Sequence, residues 1–336
     1  MGEFELIERY FKRPASPSGP AISLGIGDDC ALLQPTPNTQ LAVSSDMLVE
    51  GRHFFPDVDP AALGHKALAV NLSDLAACGA KPVAFTLALA LPNAREAWLE
   101  PFARGLLALA DEHHCALIGG DTTCGPLTIC ITVFGEIPIV NGKSQALLRS
   151  GARPGDDIYV SATLGEARLA LEVLRGTVSV PAEVFAQARL RLERPTPRVA
   201  LGMALRGVAT AAIDISDGLM GDLGHLLEAS GVGATIQIDD TIILIANYLF
   251  RTWEKGIFDG YFSKKQALAY VLAGGDDYEL AFTAPASHRA AVQAAAASAG
   301  VKVTRIGQID PQPGIRLVDA QGNVRPGHPA SFDHFA

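Results

Sequence analysis

No stretch of the 336-residue sequence approaches the roughly 18 consecutive apolar residues that a membrane-spanning helix needs. The longest candidate, Val83 to Leu91, is a nine-residue strand-like run, so no membrane partner is expected. The start, Met1-Gly2-Glu3-Phe4-Glu5, lacks the basic and apolar regions of a secretory signal. Cysteine is scarce: Cys30, Cys78, Cys115, Cys124 and Cys130 form no C-x-x-C pair. An odd count without zinc-type spacing points to buried thiols in a reducing, cytoplasmic compartment. The glycosylation sequon Asn71-Leu72-Ser73 would go unused there. Positive charge is also short: 27 Lys+Arg against 36 Asp+Glu gives 27 − 36 = −9. That balance argues against a general nucleic-acid binder. An acidic protein that binds phosphates needs cations between itself and its ligand.

The common phosphate and catalytic signatures are missing too. Gly142-Lys143-Ser144 would end a Walker A loop, but Ile137 stands where its first glycine belongs. Gly25-Ile26-Gly27 would open a dinucleotide fingerprint, but Cys30 takes the last glycine position. There is no H-R-D with D-F-G, no G-x-S-x-G elbow and no H-E-x-x-H.

What is present is globular: 49% hydrophobic and 19% charged residues, on a length that suggests two domains. Periodicity predicts helices over Glu3–Lys12, Ala61–Cys78 (with Asn71 as a candidate break), Ala94–His114, Gly165–Arg175, Pro181–Glu193, Arg198–Arg206, Gly218–Ser230, Lys264–Leu272 and Ala286–Ala299. Strands are predicted at Leu41–Ser44, Val83–Leu91, Cys115–Ile118, Leu127–Glu136, Asp157–Ser161, Thr210–Ile213, Ala234–Ile238, Tyr278–Thr283 and Val303–Ile309. Pro14 to Pro20 reads as a loop, and 239–262 carries no clear pattern. The intermixed order makes the fold α/β (α+β). The turn formers from Arg149 to Asp156 place the domain boundary near residue 150, giving domains 1–150 and 151–336.

Of the 36 acids, 21 are Asp and 15 are Glu. Glu is the better helix former, so an excess of Asp points to turns, caps or metal sites. The aspartates gather in Gly27-Asp28-Asp29, Ser44-Ser45-Asp46, Asn71-Leu72-Ser73-Asp74, Gly119-Gly120-Asp121-Thr122, Asp214-Ile215-Ser216-Asp217-Gly218 and Gly274-Gly275-Asp276-Asp277. Several read as the ends of strands, the rim where α/β folds bind ligands. Any one motif could be a cap or an Asx turn; Asp217, for example, could cap the helix after it. Together they fit Mg²⁺, which takes oxygen ligands and binds through one or two carboxylates plus phosphates.

These residues resemble thiamine-monophosphate kinase. The resemblance runs through Gly25 to Asp29, Ser45 to Phe54, Lys66 to Ala77, Leu117 to Thr123, Arg149 to Ala152, Ile213 to Leu219 and Gly274 to Leu280, with Phe332-Asp333-His334-Phe335 at the tail. It implies ATP-dependent phosphorylation of thiamine monophosphate to thiamine diphosphate. It implies a two-domain synthetase-like fold shared with aminoimidazole ribonucleotide synthetase and selenophosphate synthetase. In that fold the N-terminal α/β domain binds ATP and Mg²⁺ and dimerises through its sheet, and a C-terminal α/β domain completes the active site. By position, the resemblance makes Asp29, Ser44, Ser45, Asp46, Asp74, Asp121, Asp214 and Asp217 metal ligands. It makes Gly120, Asp121, Arg149 and Ser216 nucleotide contacts, and His53, Glu279 and Phe332 contacts to thiamine monophosphate. Ser45 stands where the family often has Thr, and it keeps the hydroxyl. No catalytic base or covalent nucleophile is expected, because a phosphate acceptor with a second pKa near 6 is already largely a dianion. Another synthetase of the wider group, a hydrolase, and a non-catalytic Mg²⁺ or nucleotide sensor remain as alternatives.

Overall fold

The computed structural model describes residues 2–13, 21–238 and 263–325. The loop from Pro14 to Pro20, the unassigned segment 239–262 and the tail carrying Phe332 lie outside the described residues. The chain forms two compact units: Met1–Leu75 with Ala80–Ala146, and Ala76–Gly79 with Leu147–Ala336.

The first unit opens with α1 (Glu3–Tyr10) and a short antiparallel pair, β1 (Ile22–Leu24) and β2 (Leu32–Leu33). There follow β3 (Thr39–Val49), α2 (Pro60–Ala77), β4 (Lys81–Leu91), α3 (Glu96–Glu112), β5 (Ala116–Cys124), β6 (Thr128–Val140) and β7 (Lys143–Ser144). Its five-stranded sheet runs β3-β6-β4-β5, with β7 paired to β6. β4 and β5 are parallel across α3, and the other pairs are antiparallel. Buried Phe85, Leu87, Leu89 and Leu91 alternate along β4, the pattern of a strand with one covered face. The helices of this layer approach closely. A Cβ on Gly64 of α2 would lie 2.1 Å from the Phe102 carbonyl oxygen, and one on Gly105 of α3 would lie 1.9 Å from that of Ala61. Both positions must be glycine for the backbones to meet.

Two local expectations change. α2 is unbroken at Asn71, because the Asn71 side chain donates to the Ala67 carbonyl at 3.0 Å while remaining buried in the helix. β3 is an 11-residue strand, so Ser44-Ser45-Asp46 sits in its middle rather than at its end. Pairing with β6 along its whole length extends it past its short apolar run.

The second unit contains β8 (Asp157–Ser161), α4 (Glu166–Leu174), α5 (Ala182–Glu193), α6 (Val199–Ala204), β9 (Ala211–Ile215), α7 (Leu219–Ser230) and β10 (Gly233–Gln237). It continues with α8 (Lys264–Ala273), β11 (Glu279–Ala284), α9 (Arg289–Ser298), β12 (Val303–Asp310) and β13 (Gly314–Val318). The six-stranded sheet has the order β13-β10-β12-β8-β11-β9, parallel only between β10 and β13. β8, β9 and β11 are buried at every position, as strands covered on both faces must be. Their side chains pack with Leu169, Leu223, Leu226 and Val271 from the helices. The mixed two-unit α/β architecture agrees with the fold class expected from sequence.

Candidate functional site

Alternation along β3 puts Ser44 and Asp46 on one face and Ser45 on the other. Asn71 and Asp74, three apart on α2, form the adjoining helix surface. The Ser44 hydroxyl donates to Asp74 Oδ2, and the Asp46 N–H donates to Asn71 Oδ1 at 3.0 Å. Ser44, Asp46 and Asp74 therefore come together within the first unit. Ser45 does not join them with its side chain. Its hydroxyl bonds the Ile131 carbonyl at 3.1 Å and Thr132 Oγ1 at 3.0 Å, both on β6.

Asp28 and Asp29 are exposed, and the Asp29 N–H donates to Asp28 Oδ1 at 2.8 Å, so Asp28 shapes the turn. Asp121 is exposed on β5, opposite Ala88 of β4. Gly120 before it has φ +149°, and a Cβ there would meet the Leu87 carbonyl oxygen at 1.8 Å. The glycine lets β5 carry Asp121 against β4. His53 Nδ1 accepts from the Val49 N–H at 3.0 Å. A neutral ring must then carry its proton on Nε2, a donor suited to a phosphate oxygen.

In the second unit, β9 delivers buried Asp214, and Ser216-Asp217-Gly218 turns into α7. Gly218, not Asp217, occupies the N-cap position of α7. The loop is held instead by Asp222, a residue the sequence reading passed over. Asp222 Oδ2 accepts from the N–H groups of Ser216 at 3.0 Å, Asp217 at 3.0 Å and Gly218 at 3.1 Å. Burial pushes this carboxyl up to about 7, against the pull of those donors. The loop carbonyls meet the Gly274-Gly275-Asp276-Asp277 motif: the Asp276 N–H donates to Ser216 O at 2.7 Å, and the Tyr278 N–H to Ile215 O at 2.8 Å. Asp276 and Tyr278 adopt left-handed φ of 61° and 51° to make these contacts. Such strain concentrates at functional sites.

Glu279 is fully buried and saturated. Arg198 Nε donates to Oε2 at 2.7 Å, and Arg198 Nη2 and Arg191 Nη2 each donate to Oε1 at 2.5 Å. The Ser161 hydroxyl completes the set at 2.5 Å on Oε2. The substrate contact that the resemblance implies for Glu279 falls on a carboxylate whose oxygens already accept four bonds. Asp277 beside it accepts from the Gly165 N–H at 3.0 and 3.1 Å, and burial holds its carboxyl well above the usual range. Arg149 is exposed on a turn tied down by Ser230, whose hydroxyl donates to Arg149 O at 2.9 Å and accepts from the Gly151 and Ala152 N–H groups at 3.2 Å. Phe332 lies outside the described residues.

The donors are carboxylate and hydroxyl oxygens, which suit a hard cation. Among the described residues no three His, Cys, Asp or Glu side chains are grouped to hold a metal. The five cysteines are free thiols and none stands in such a group; only Cys115 is buried, Cys78 and Cys130 are half-buried and Cys30 and Cys124 exposed, so the expected burial holds for one thiol alone.

Residues 27–137 match the family described as AIR synthase related protein, N-terminal domain, and residues 153–320 its C-terminal domain. The chain is 46% identical to thiamine-monophosphate kinase from Salmonella typhimurium, over 100% of this chain and 98% of that one. The crystal structure of thiamine-monophosphate kinase from Stenotrophomonas maltophilia superposes with a TM-score of 0.80 at 45% identity, covering 91% of this chain and 93% of that one. AaThiL complexed with AMPPCP and TMP superposes with a TM-score of 0.74 at 30% identity, covering 90% and 89%.

Proposed function

The chain belongs to the thiamine-monophosphate kinase family, and we infer from that premise that it transfers the terminal phosphoryl group of ATP to thiamine monophosphate, releasing ADP and thiamine diphosphate. The observation that carries this reading is similarity over the whole chain to kinases of that name, one relative being held with a nucleotide analogue and TMP. Every aspartate motif of the sequence lies within the residues so matched.

The acceptor oxygen needs no deprotonation, so no side chain has to serve as base. The chain has instead to bring two polyanions together and offset their charge. Asp29, Ser44, Ser45, Asp46, Asp74, Asp121, Asp214 and Asp217 would hold Mg²⁺, which neutralises phosphate charge when bound. For Ser45 that role falls to its backbone, since its hydroxyl is committed to β6. Gly120, Asp121, Arg149 and Ser216 contact the nucleotide. Arg149 offers a planar fork to phosphate oxygens. His53 donates from Nε2 to the substrate phosphate, and Phe332 stacks on the cationic thiazolium. Glu279 supports the substrate region through Arg191 and Arg198.

The test uses ATP labelled in its terminal phosphate, with Mg²⁺, with and without thiamine monophosphate. ADP release is expected only with both present, with label in thiamine diphosphate and none on the protein. ADP without thiamine monophosphate would instead make the protein a hydrolase, and no ADP in either case would make it a sensor.

The working form is a cytoplasmic homodimer built on the first unit's sheet. On β3, Leu41, Val43 and Met47 are exposed by 40, 58 and 53%, an apolar row on the face turned away from α2. Rows of this kind mark interaction surfaces. Light scattering should give a mass near twice 35.3 kDa, and Val43→Glu with Met47→Glu should reduce it to one chain. A monomeric wild type would refute the dimer. No helix among the described residues is long and apolar enough to cross a membrane.

A further inference from the structure

Asp222 lies at the fourth position of α7, one full turn inside a helix that begins at Leu219. A charged side chain there ordinarily lies along the exposed surface. Helical side chains lean toward the N-terminus, however, and a short one can reach back over the first turn. Asp222 does so, and only 5% of its surface is exposed. It passes the helix's own first residues and collects three successive N–H groups from outside the helix, those of Ser216, Asp217 and Gly218.

Three consecutive N–H groups converging on one oxygen make the kind of concavity in which loops bind phosphate. Here the chain fills that concavity with its own carboxylate. The acceptors of the same loop are also used internally. Ile215 O and Ser216 O are taken by Tyr278 and Asp276, and Gly218 O by the N–H groups of Gly221 and Asp222. The loop therefore has no N–H at 216 to 218 to offer a nucleotide phosphate. What it can present are its side chains and the Asp217 carbonyl.

We propose that Asp222 is a positioning residue: it fills the backbone concavity of the 216–218 loop and so fixes the loop in the one conformation that presents Ser216 and Asp217 as side-chain ligands. This rests on the kinase reading for what the loop presents, and on geometry alone for the brace. Asp222 itself touches neither substrate nor metal. The requirement is for an acceptor oxygen of the right reach. Asparagine has one and alanine has none.

Hydrogen exchange tests the brace without reference to activity. In Asp222→Ala, the amides of 216 to 218 should lose protection by about 10²-fold, while Ala212 and Ile213 of β9 keep theirs. Asp222→Asn should retain most of the loop protection. In parallel, Asp222→Ala should lower kcat at least tenfold and raise the Mg²⁺ concentration for half-maximal rate, with KM for thiamine monophosphate unchanged, and Asp222→Asn should recover most of both. Unchanged exchange at 216 to 218 in the alanine variant overturns the proposal, as does an asparagine variant as unprotected as alanine. If the wild type releases no ADP in response to thiamine monophosphate, the kinase reading fails, and the exchange result still decides the brace.

Discussion

Asp121→Asn is expected to lower kcat by about 10²-fold or more, because clamping phosphates through a metal contributes several kcal/mol to transition-state stabilisation. The substitution keeps size, shape and one acceptor oxygen while removing the negative charge. Asp121 is exposed at the outer half of β5, so the fold does not depend on its carboxylate. An exposed substitution of this kind changes stability by no more than about 0.5 kcal/mol. The loss should therefore sit in turnover and in the Mg²⁺ requirement, with the melting temperature unchanged. The glycine before it has the opposite character. The Gly120 backbone is pressed against Leu87 of β4, and any Cβ there would force the two strands apart. The pair thus divides its labour, with Gly120 placing the strand and Asp121 supplying the charge. Steady-state ADP release measured over a Mg²⁺ titration checks the prediction. Near-normal turnover of the asparagine variant at saturating Mg²⁺ would remove Asp121 from the ligand set.

Asp28, Asp121, Asp217 and Asp276 were legible because aspartate beside glycine breaks the periodicity of a helix or strand, and each such break stands out locally. The groups that hold them were not. Ser230 reaches Gly151 across 79 residues, and Arg198 and Ser161 reach Glu279 across 81 and 118. No local pattern reports such pairings. Arg191 and Arg198 flank Arg194-Pro195-Thr196-Pro197, whose turn chemistry accounts for the segment without any buried partner. Asp222 is near its loop in sequence, but an acid in a first turn is read as a surface charge favoured by the helix dipole. The fold shows the same division. β4 and α3 announce themselves by sustained periodicity. β1 and β2 have three and two residues, too few for any period, and β13 is set by parallel pairing with β10. Ser44-Ser45-Asp46 misled for a related reason. The motif looks like a strand end by composition, whereas cross-strand pairing carries β3 through it and turns Ser45 away from its neighbours.

Arg198→Met is expected to destabilise the second unit by about 3 kcal/mol, since losing one partner of a buried ion pair is strongly destabilising and Arg191 alone then faces the Glu279 carboxylate. For a unit of this size that corresponds to a melting temperature lower by roughly 6–12 °C. The Glu279 side chain is 0% exposed and those of Arg191 and Arg198 are 18% and 12%. Arg198 supplies two of the four donors, one to each carboxylate oxygen, and Arg191 supplies one. With Arg198 gone, Oε2 keeps only the Ser161 hydroxyl. Methionine fills similar volume, so the cost is electrostatic rather than a cavity. The decisive comparison is the double variant Arg198→Met with Glu279→Gln. If the pair is the source of the cost, removing the charge from both sides should recover much of it, and the two effects should fail to add. Strict additivity, or a loss below about 1 kcal/mol for Arg198→Met alone, would mean that the carboxylate is not held by this arginine in solution. Glu279 would then keep only Arg191 and Ser161 as donors and have room to accept from the substrate. The same thermal measurement, repeated with thiamine monophosphate, separates the two roles: a Glu279 that contacts the substrate loses ligand stabilisation in Glu279→Gln, whereas one that holds Arg191 and Arg198 in place loses it to a similar extent in Arg198→Met.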